Sequence, residues 1–217
     1  MASRFPALSR LLSPFHTDAQ VNTPVHPVAL RRPNYLYYGA MKSEHIDADS
    51  VLAAQFLKYS RRKLLLEYWP RLRSSVQPLT DQQIWWRPNG ASNSIGNLLL
   101  HLNGNVGQWL VAPFNGYRDE RNRAVEFRER RLISGRELLE RLGATMQQAS
   151  DTLDQMNTER LSRVYEIQGY TVTGMEAVYQ VVEHFGMHYG QVLWIVKATT
   201  GMDLGFYREL DNTGRAS

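Results

Sequence analysis

The apolar positions of the chain fall into four stretches of helical period, separated by segments that lack one. From Asp49 to about Ser75, Leu52, Phe56, Tyr59, Leu64, Leu66 and Trp69 mostly share one helical face. Pro70 has no amide proton and crowds the carbonyl four residues back, so a kink or division is expected near Trp69. The second stretch, capped by Asn93 or Ser94, carries Ile95, Leu98, Leu99, Leu102, Val106, Trp109 and Leu110 inward and should stop at Pro113. Ser134 and Glu137 form a capping box for the third, continued by Leu138, Leu142, Met146, Leu153 and Met156. Thr173 and Glu176 repeat that device for the fourth, which runs through Val178, Phe185, Val192 and Val196 to Gly201, a residue suited to a left-handed terminus.

The connections differ in character. Trp85 and Trp86 before Pro88 suggest an extended segment anchored by packing. Residues 114–132 are charged and irregular, the length of a crossover in a small bundle. Residues 164–172 alternate around Gly169, which allows a short hairpin too small to sustain a sheet alone. The expected fold is all-α, a four-helix bundle over residues 46–210 with a long crossover connection. Residues 1–45 read as an irregular N-terminal extension, or as sequence upstream of a true start at Met41, and 211–217 as a flexible tail.

Composition narrows the function. At 217 residues with 43% hydrophobic and 21% charged, the chain suits one globular core and not wholesale disorder. It has no cysteine, so disulfides, zinc-thiolate sites and a cysteine nucleophile are excluded, and any metal must use nitrogen and oxygen ligands. The net charge is +4, but residues 1–40 hold four arginines against one acid, leaving +1 for the rest. That balance argues against a nucleic-acid partner, which needs a clustered basic face. No apolar run approaches the ~20 residues of a membrane span, and no secretory signal is evident, so a cytoplasmic location without a membrane partner is expected.

Of six histidines, His16, His26 and His45 precede the first helix, where exposure is expected. His184 and His188 lie one turn apart on the fourth helix and can reach a common ion. His101 interrupts the aliphatic run Leu98 to Leu102, where a neutral imidazole needs a partner to offset its desolvation. Asn97, Asn105 and Gln108 share its face, and Gln180 and Gln191 share that of His184 and His188. Two polar stripes on otherwise apolar helices would face each other across a bundle cavity. Phe185 follows His184, so the zincin arrangement with its adjacent glutamate is absent, and no Glu-x-x-His pair offers a di-iron site.

The string Ser94 to Leu102, ending in Leu100-His101-Leu102, with Glu183-His184-Phe185-Gly186-Met187-His188-Tyr189-Gly190-Gln191 far downstream, resembles the DinB-like (YfiT-like) metalloenzymes. Trp85-Trp86-Arg87-Pro88, Ile167-Gln168-Gly169 and Gly201 to Tyr207 look like the DUF1572 branch of that superfamily. The resemblance implies a bundle that is often a homodimer and holds a divalent nickel, zinc, iron or manganese ion on one histidine of the second helix and two of the fourth. Here these are His101, His184 and His188. It also implies small-molecule chemistry, since the superfamily includes thiol-dependent transferases and isomerases.

Two readings remain open on the sequence. One is a metal-dependent hydrolase, or a transferase using a low-molecular-weight thiol, with Tyr59, Tyr189 and Gln191 as possible helpers near the ion. The other is a non-catalytic dimeric bundle in which the metal is structural.

Overall fold

The computed structural model describes residues 47–208. The proposed extension, the C-terminal tail and His16, His26 and His45 lie outside the described residues.

Helix α1 (48–76) is continuous but changes gauge. Asp47 caps it by accepting from the Asp49 amide, and α-helical Ala48–Arg61 passes into a π-helical stretch, Arg62–Tyr68, before α-helical Trp69–Val76. The kink or division expected near Trp69 takes the form of a change of helix type there, from π to α, with the chain staying helical. The wide turns come just before the proline, which then sits in the first turn of the following α segment, where its missing N–H matters least. The extra residue per turn also shifts the helical phase. Leu64, Leu72 and Val76 are buried, whereas Leu52, Tyr59 and Leu66, expected on the inner face, are exposed.

Thr80 caps the short helix α2 (Asp81–Trp85) with a complete capping box. Trp85 is buried with its indole N–H donating to the Ile133 carbonyl at 2.8 Å, while Trp86 stays partly exposed. The expected extended anchor therefore begins as a helical turn.

Helix α3 (95–115) repeats the device of α1. Ser94 and Asn97 close a capping box, Ile95–Val106 is α-helical, Gly107–Val111 is π-helical, and Pro113 lies in the first turn of Ala112–Asn115. Pro113 is thus not the stop. The helix ends at Gly116, whose φ of 68° favours a residue without a Cβ. The crossover that follows carries a short helix, α4 (Arg123–Arg128), capped by Asn122.

Helix α5 (Gly135–Asp154) starts at Ser134, which accepts from the Glu137 amide. The other half of the expected box is not made, because Glu137 pairs with Arg141 instead. Helix α6 (Thr158–Ser162) leads to the hairpin of β1 (Val164–Ile167) and β2 (Tyr170–Thr173), antiparallel with Val164 opposite Thr173 and Ile167 opposite Tyr170. Buried Ile167 ties this hairpin to the core. Helix α7 (Gly174–Thr200) opens on the Thr173–Glu176 box and ends at Gly201, with φ 67°.

The long helices α1, α3, α5 and α7 enclose one core, in which α3 packs against both α5 and α7. Leu98, Leu99, Leu102, Leu142, Val181, Phe185 and Val192 are at most 1% exposed. At roughly 1.5–3 kcal/mol per fully buried large aliphatic or aromatic side chain, this burial is what holds α3 and α7 in fixed register. No helix among the described residues is long and apolar enough to cross a membrane.

Candidate metal centre

The site sits where the polar stripe of α3 meets that of α7. His101 is 3% exposed between Leu98 and Leu102, and His184 and His188 stand one turn apart on the facing helix. Packing brings the three rings together, with centroid separations of 4.9 Å from His101 to each of the others and 4.5 Å between His184 and His188. One nitrogen from each ring lies within 4.8 Å of the other two. His101 Nε2 and His184 Nε2 are 3.0 Å apart, close enough to share one proton or one cation.

The far sides of the rings determine which nitrogens are free. Glu126 Oε2 lies 2.8 Å from His101 Nδ1. Arg121 donates to the same carboxylate through Nε at 2.7 Å and Nη2 at 2.9 Å, and Nη2 also lies 3.0 Å from His101 Nδ1; the tautomer assigned is the one whose Nδ1–H donates to the charged Glu126. Nε2 of His101 then carries a lone pair facing inward. His188 Nδ1 is 2.8 Å from Gln191 Oε1, an acceptor, so its Nε2 is free in the same way. Among the described residues, His184 Nδ1 is buried with no partner.

Electrostatics favour neutral ligands. Burial, reinforced by His188, His101, Arg121 and Arg123, pushes the His184 pKa down to about 3. His188 is lowered too, again chiefly by burial. Burial raises Glu126, but hydrogen bonds from His101 and Arg121 outweigh it and hold the carboxyl below its usual range. Imidazoles coordinate in their neutral form, and three with converging nitrogens suit a divalent cation of borderline softness while leaving coordination positions open. The residues present fit such an ion.

The other expected site residues divide. Gln191 orients His188, and Asn105 and Gln180 line a cavity of about 680 Å³ that opens on His101 and His184. Gln108 is one step removed, donating to Asp119 at 2.5 Å and accepting from Arg121 at 2.9 Å. Asn97 is taken up by its cap and by donating to the carbonyls of Glu126 and Glu129, so it secures the crossover. Tyr189 packs on Tyr68, 5.2 Å between ring centroids, outside the cavity wall. Tyr59, on the α-helical part of α1 ahead of the π-helical turns, is 58% exposed under Lys63.

Glu126, Arg121 and Phe127, whose ring lies 4.5 Å from that of His101, were not visible as site residues in a segment that read as irregular. The available signals were Asn122, placed to cap a short helix, and Gly104, three residues after His101. A Cβ at Gly104 would overlap the Glu126 carboxylate and lie 2.7 Å from Arg121 Nε.

Residues 51–206 match the family described as "Protein of unknown function (DUF1572)". The protein belongs to the DUF1572 family. A DinB-like protein from Bacillus cereus superposes on this DUF1572 chain with a TM-score of 0.54 at 12% identity, covering 70% of this chain and 94% of that one. A conserved protein from Enterococcus faecalis gives 0.53 at 17%, covering 75% and 100%. At these identities the likeness is one of fold. No curated protein matches this DUF1572 member.

Proposed function

We propose that the protein is a metal-dependent enzyme whose His101, His184 and His188 hold a divalent nickel, zinc, iron or manganese ion. The observation that carries this reading is the convergence of three imidazoles, two with Nδ1 2.8 Å from the oxygens of Glu126 and Gln191, beside an open cavity. A buried structural ion would have no use for that cavity. When bound, such an ion supplies Lewis-acid chemistry and open positions for water or a thiolate, which suits hydrolysis or thiol-dependent transfer to a small molecule. The chain's own residues orient the ligands: Glu126 and Arg121 set His101, Gln191 sets His188, and the cores of α3 and α7 set the separation.

The test is metal analysis of protein purified without a histidine tag, followed by hydrolase and thiol-transferase assays on the loaded form. One equivalent of metal in the wild type, none in His101→Ala, and activity lost with the metal are the expected results. Absence of metal from a wild type grown in metal-replete medium would refute the reading. An ion that joins α3 to α7 would also strengthen the fold. If His188→Ala lowers the melting temperature sharply and no loaded form turns over any substrate, the ion is structural.

A further inference from the structure

We infer that the cavity beside the histidines takes an anionic small molecule, one bearing a carboxylate or a phosphate, and that Arg123 selects it. The inference rests on the metal reading above and names its substrate class.

The first argument is charge. The three ligands are neutral, so a divalent ion would keep its full charge in the site. Of the other charged groups at the cavity, Arg121 is matched by Glu126 at 2.7 Å. Glu176 has its carboxylate in the Thr173 cap, with Oε2 2.6 Å from the Thr173 amide. Arg123 has no carboxylate partner and no side-chain hydrogen bond among the described residues, yet it forms part of the wall. Glu176 balances Arg123 in number, so the wall is near neutral and a bound cation leaves about two positive charges uncompensated in a partly dry cavity. A ligand carrying negative charge offsets them through the field of the cleft, even where Arg123 itself is exposed, and a neutral one does not.

The second argument is preorganisation. The Arg123 guanidinium lies 4.9 Å from the centroid of the Phe127 ring, and that ring is 4.5 Å from His101. The stack leaves the planar N–H edge of the guanidinium unused and holds it close to the ligand set, as fits two-point recognition of an oxyanion. The third is an unpartnered polar group. Asn105 is 3% exposed, lines the same cavity one turn beyond His101, and its Oδ1 is buried without a hydrogen-bond partner. That oxygen is an acceptor, so what it lacks is a donor, which a hydroxyl or N–H on the body of the molecule supplies and the oxyanion itself does not. Tyr170, Tyr179 and Val172 add an apolar rim for the body of the molecule.

The experiment uses the full-length protein loaded with Co²⁺, whose visible spectrum reports on the coordination sphere independently of turnover. Succinate, inorganic phosphate and the neutral succinamide are titrated in parallel. Saturable spectral change with succinate or phosphate but not succinamide is expected, and the stronger of the two identifies the oxyanion. Arg123→Gln should weaken that binding roughly tenfold or more, the worth of a charged hydrogen-bonded pair. Arg123→Lys should recover part of it, and Co²⁺ uptake should be unchanged in both. Equal binding of the anion to wild type and Arg123→Gln, or equal binding of succinamide, overturns the inference. A thermal-shift titration of the chelated protein separates the two proposals. If Co²⁺ is not taken up but the anion stabilises the wild type and not Arg123→Gln, the metal reading fails and anion selection stands. If neither occurs, both fail.

Discussion

Glu126 Oε2 and His101 Nδ1, 25 residues apart in the chain, meet at 2.8 Å with the carboxylate clamped by Arg121 on its other side. The crossover segment is therefore part of the candidate centre and not merely a link between α3 and α5.

Removing the carboxylate should weaken the site without removing a ligand. Glu126→Ala leaves His101 Nδ1–H and the Arg121 guanidinium buried without their acceptor, and the expected loss of metal affinity is about 10–100-fold. Stability should fall by about 3 kcal/mol, as when one member of a buried ion pair is deleted. Glu126→Gln keeps one acceptor oxygen and should fall between. Chelator competition and urea denaturation measure the two effects, and wild-type metal affinity in Glu126→Ala would contradict the assigned role.

Gly104 gives the same pair room to seat against α3. Alanine is the better helix former by roughly 0.5–1 kcal/mol, so propensity alone predicts a gain from Gly104→Ala. The overlap with a carboxylate held by three hydrogen bonds predicts the reverse for the site: metal affinity should drop toward that of Glu126→Ala. Isothermal titration with Zn²⁺ decides between the two, and unchanged affinity would mean that the pair can shift at little cost.

The metal-free protein should lose stability in mild acid. Unfolded imidazole titrates near 6.5, whereas in the fold burial and neighbouring positive charge take His184 down to about 3. Between those values the unfolded chain binds the extra proton, so this contribution is complete above about pH 6.5 and declines as pH falls toward 3. His184→Gln removes the titrating group. Melting temperatures of chelated wild type and variant, compared from pH 7.5 to 4.5, should diverge in slope, and parallel curves would count against a depressed pKa.

Phe185 locks the register of α7 behind the ligands. It is fully buried and its ring stacks on Tyr68 at 6.4 Å and 6°. Phe185→Ala should cost about 3–5 kcal/mol and Phe185→Leu markedly less. Because the neighbouring His184 rides on the same turn, metal affinity should fall with packing. Urea midpoints together with metal titration check this, and a full loss of stability with intact affinity would uncouple the two.

Much of the bundle was legible because it rests on local rules. The Ser94 and Thr173 caps, the apolar faces of α3, α5 and α7, and the glycine terminus at 201 each depend on residues within a turn or two of one another. So do the one-turn spacing of His184 and His188 and the cost of burying His101. The change of helix type before Pro70 and the continuation of the helix past Pro113 share one cause. A π-helical stretch accommodates a proline by widening the turns before it, and its energy depends on what packs around it, which no short pattern records.

What the amino-acid order determined alone is therefore the four long helices and the polar positions on their inner faces, since backbone hydrogen bonding and side-chain period act over a few residues. What only the folded chain decided is which groups stand behind those positions. Glu126 and Arg121 reach His101 because the crossover folds back over α3, and Arg123 sits at the cavity over the Phe127 ring, which is itself tilted against His101. Such contacts join segments with no sequence relation to one another, and their partners are selected by packing and by the need to satisfy buried charge.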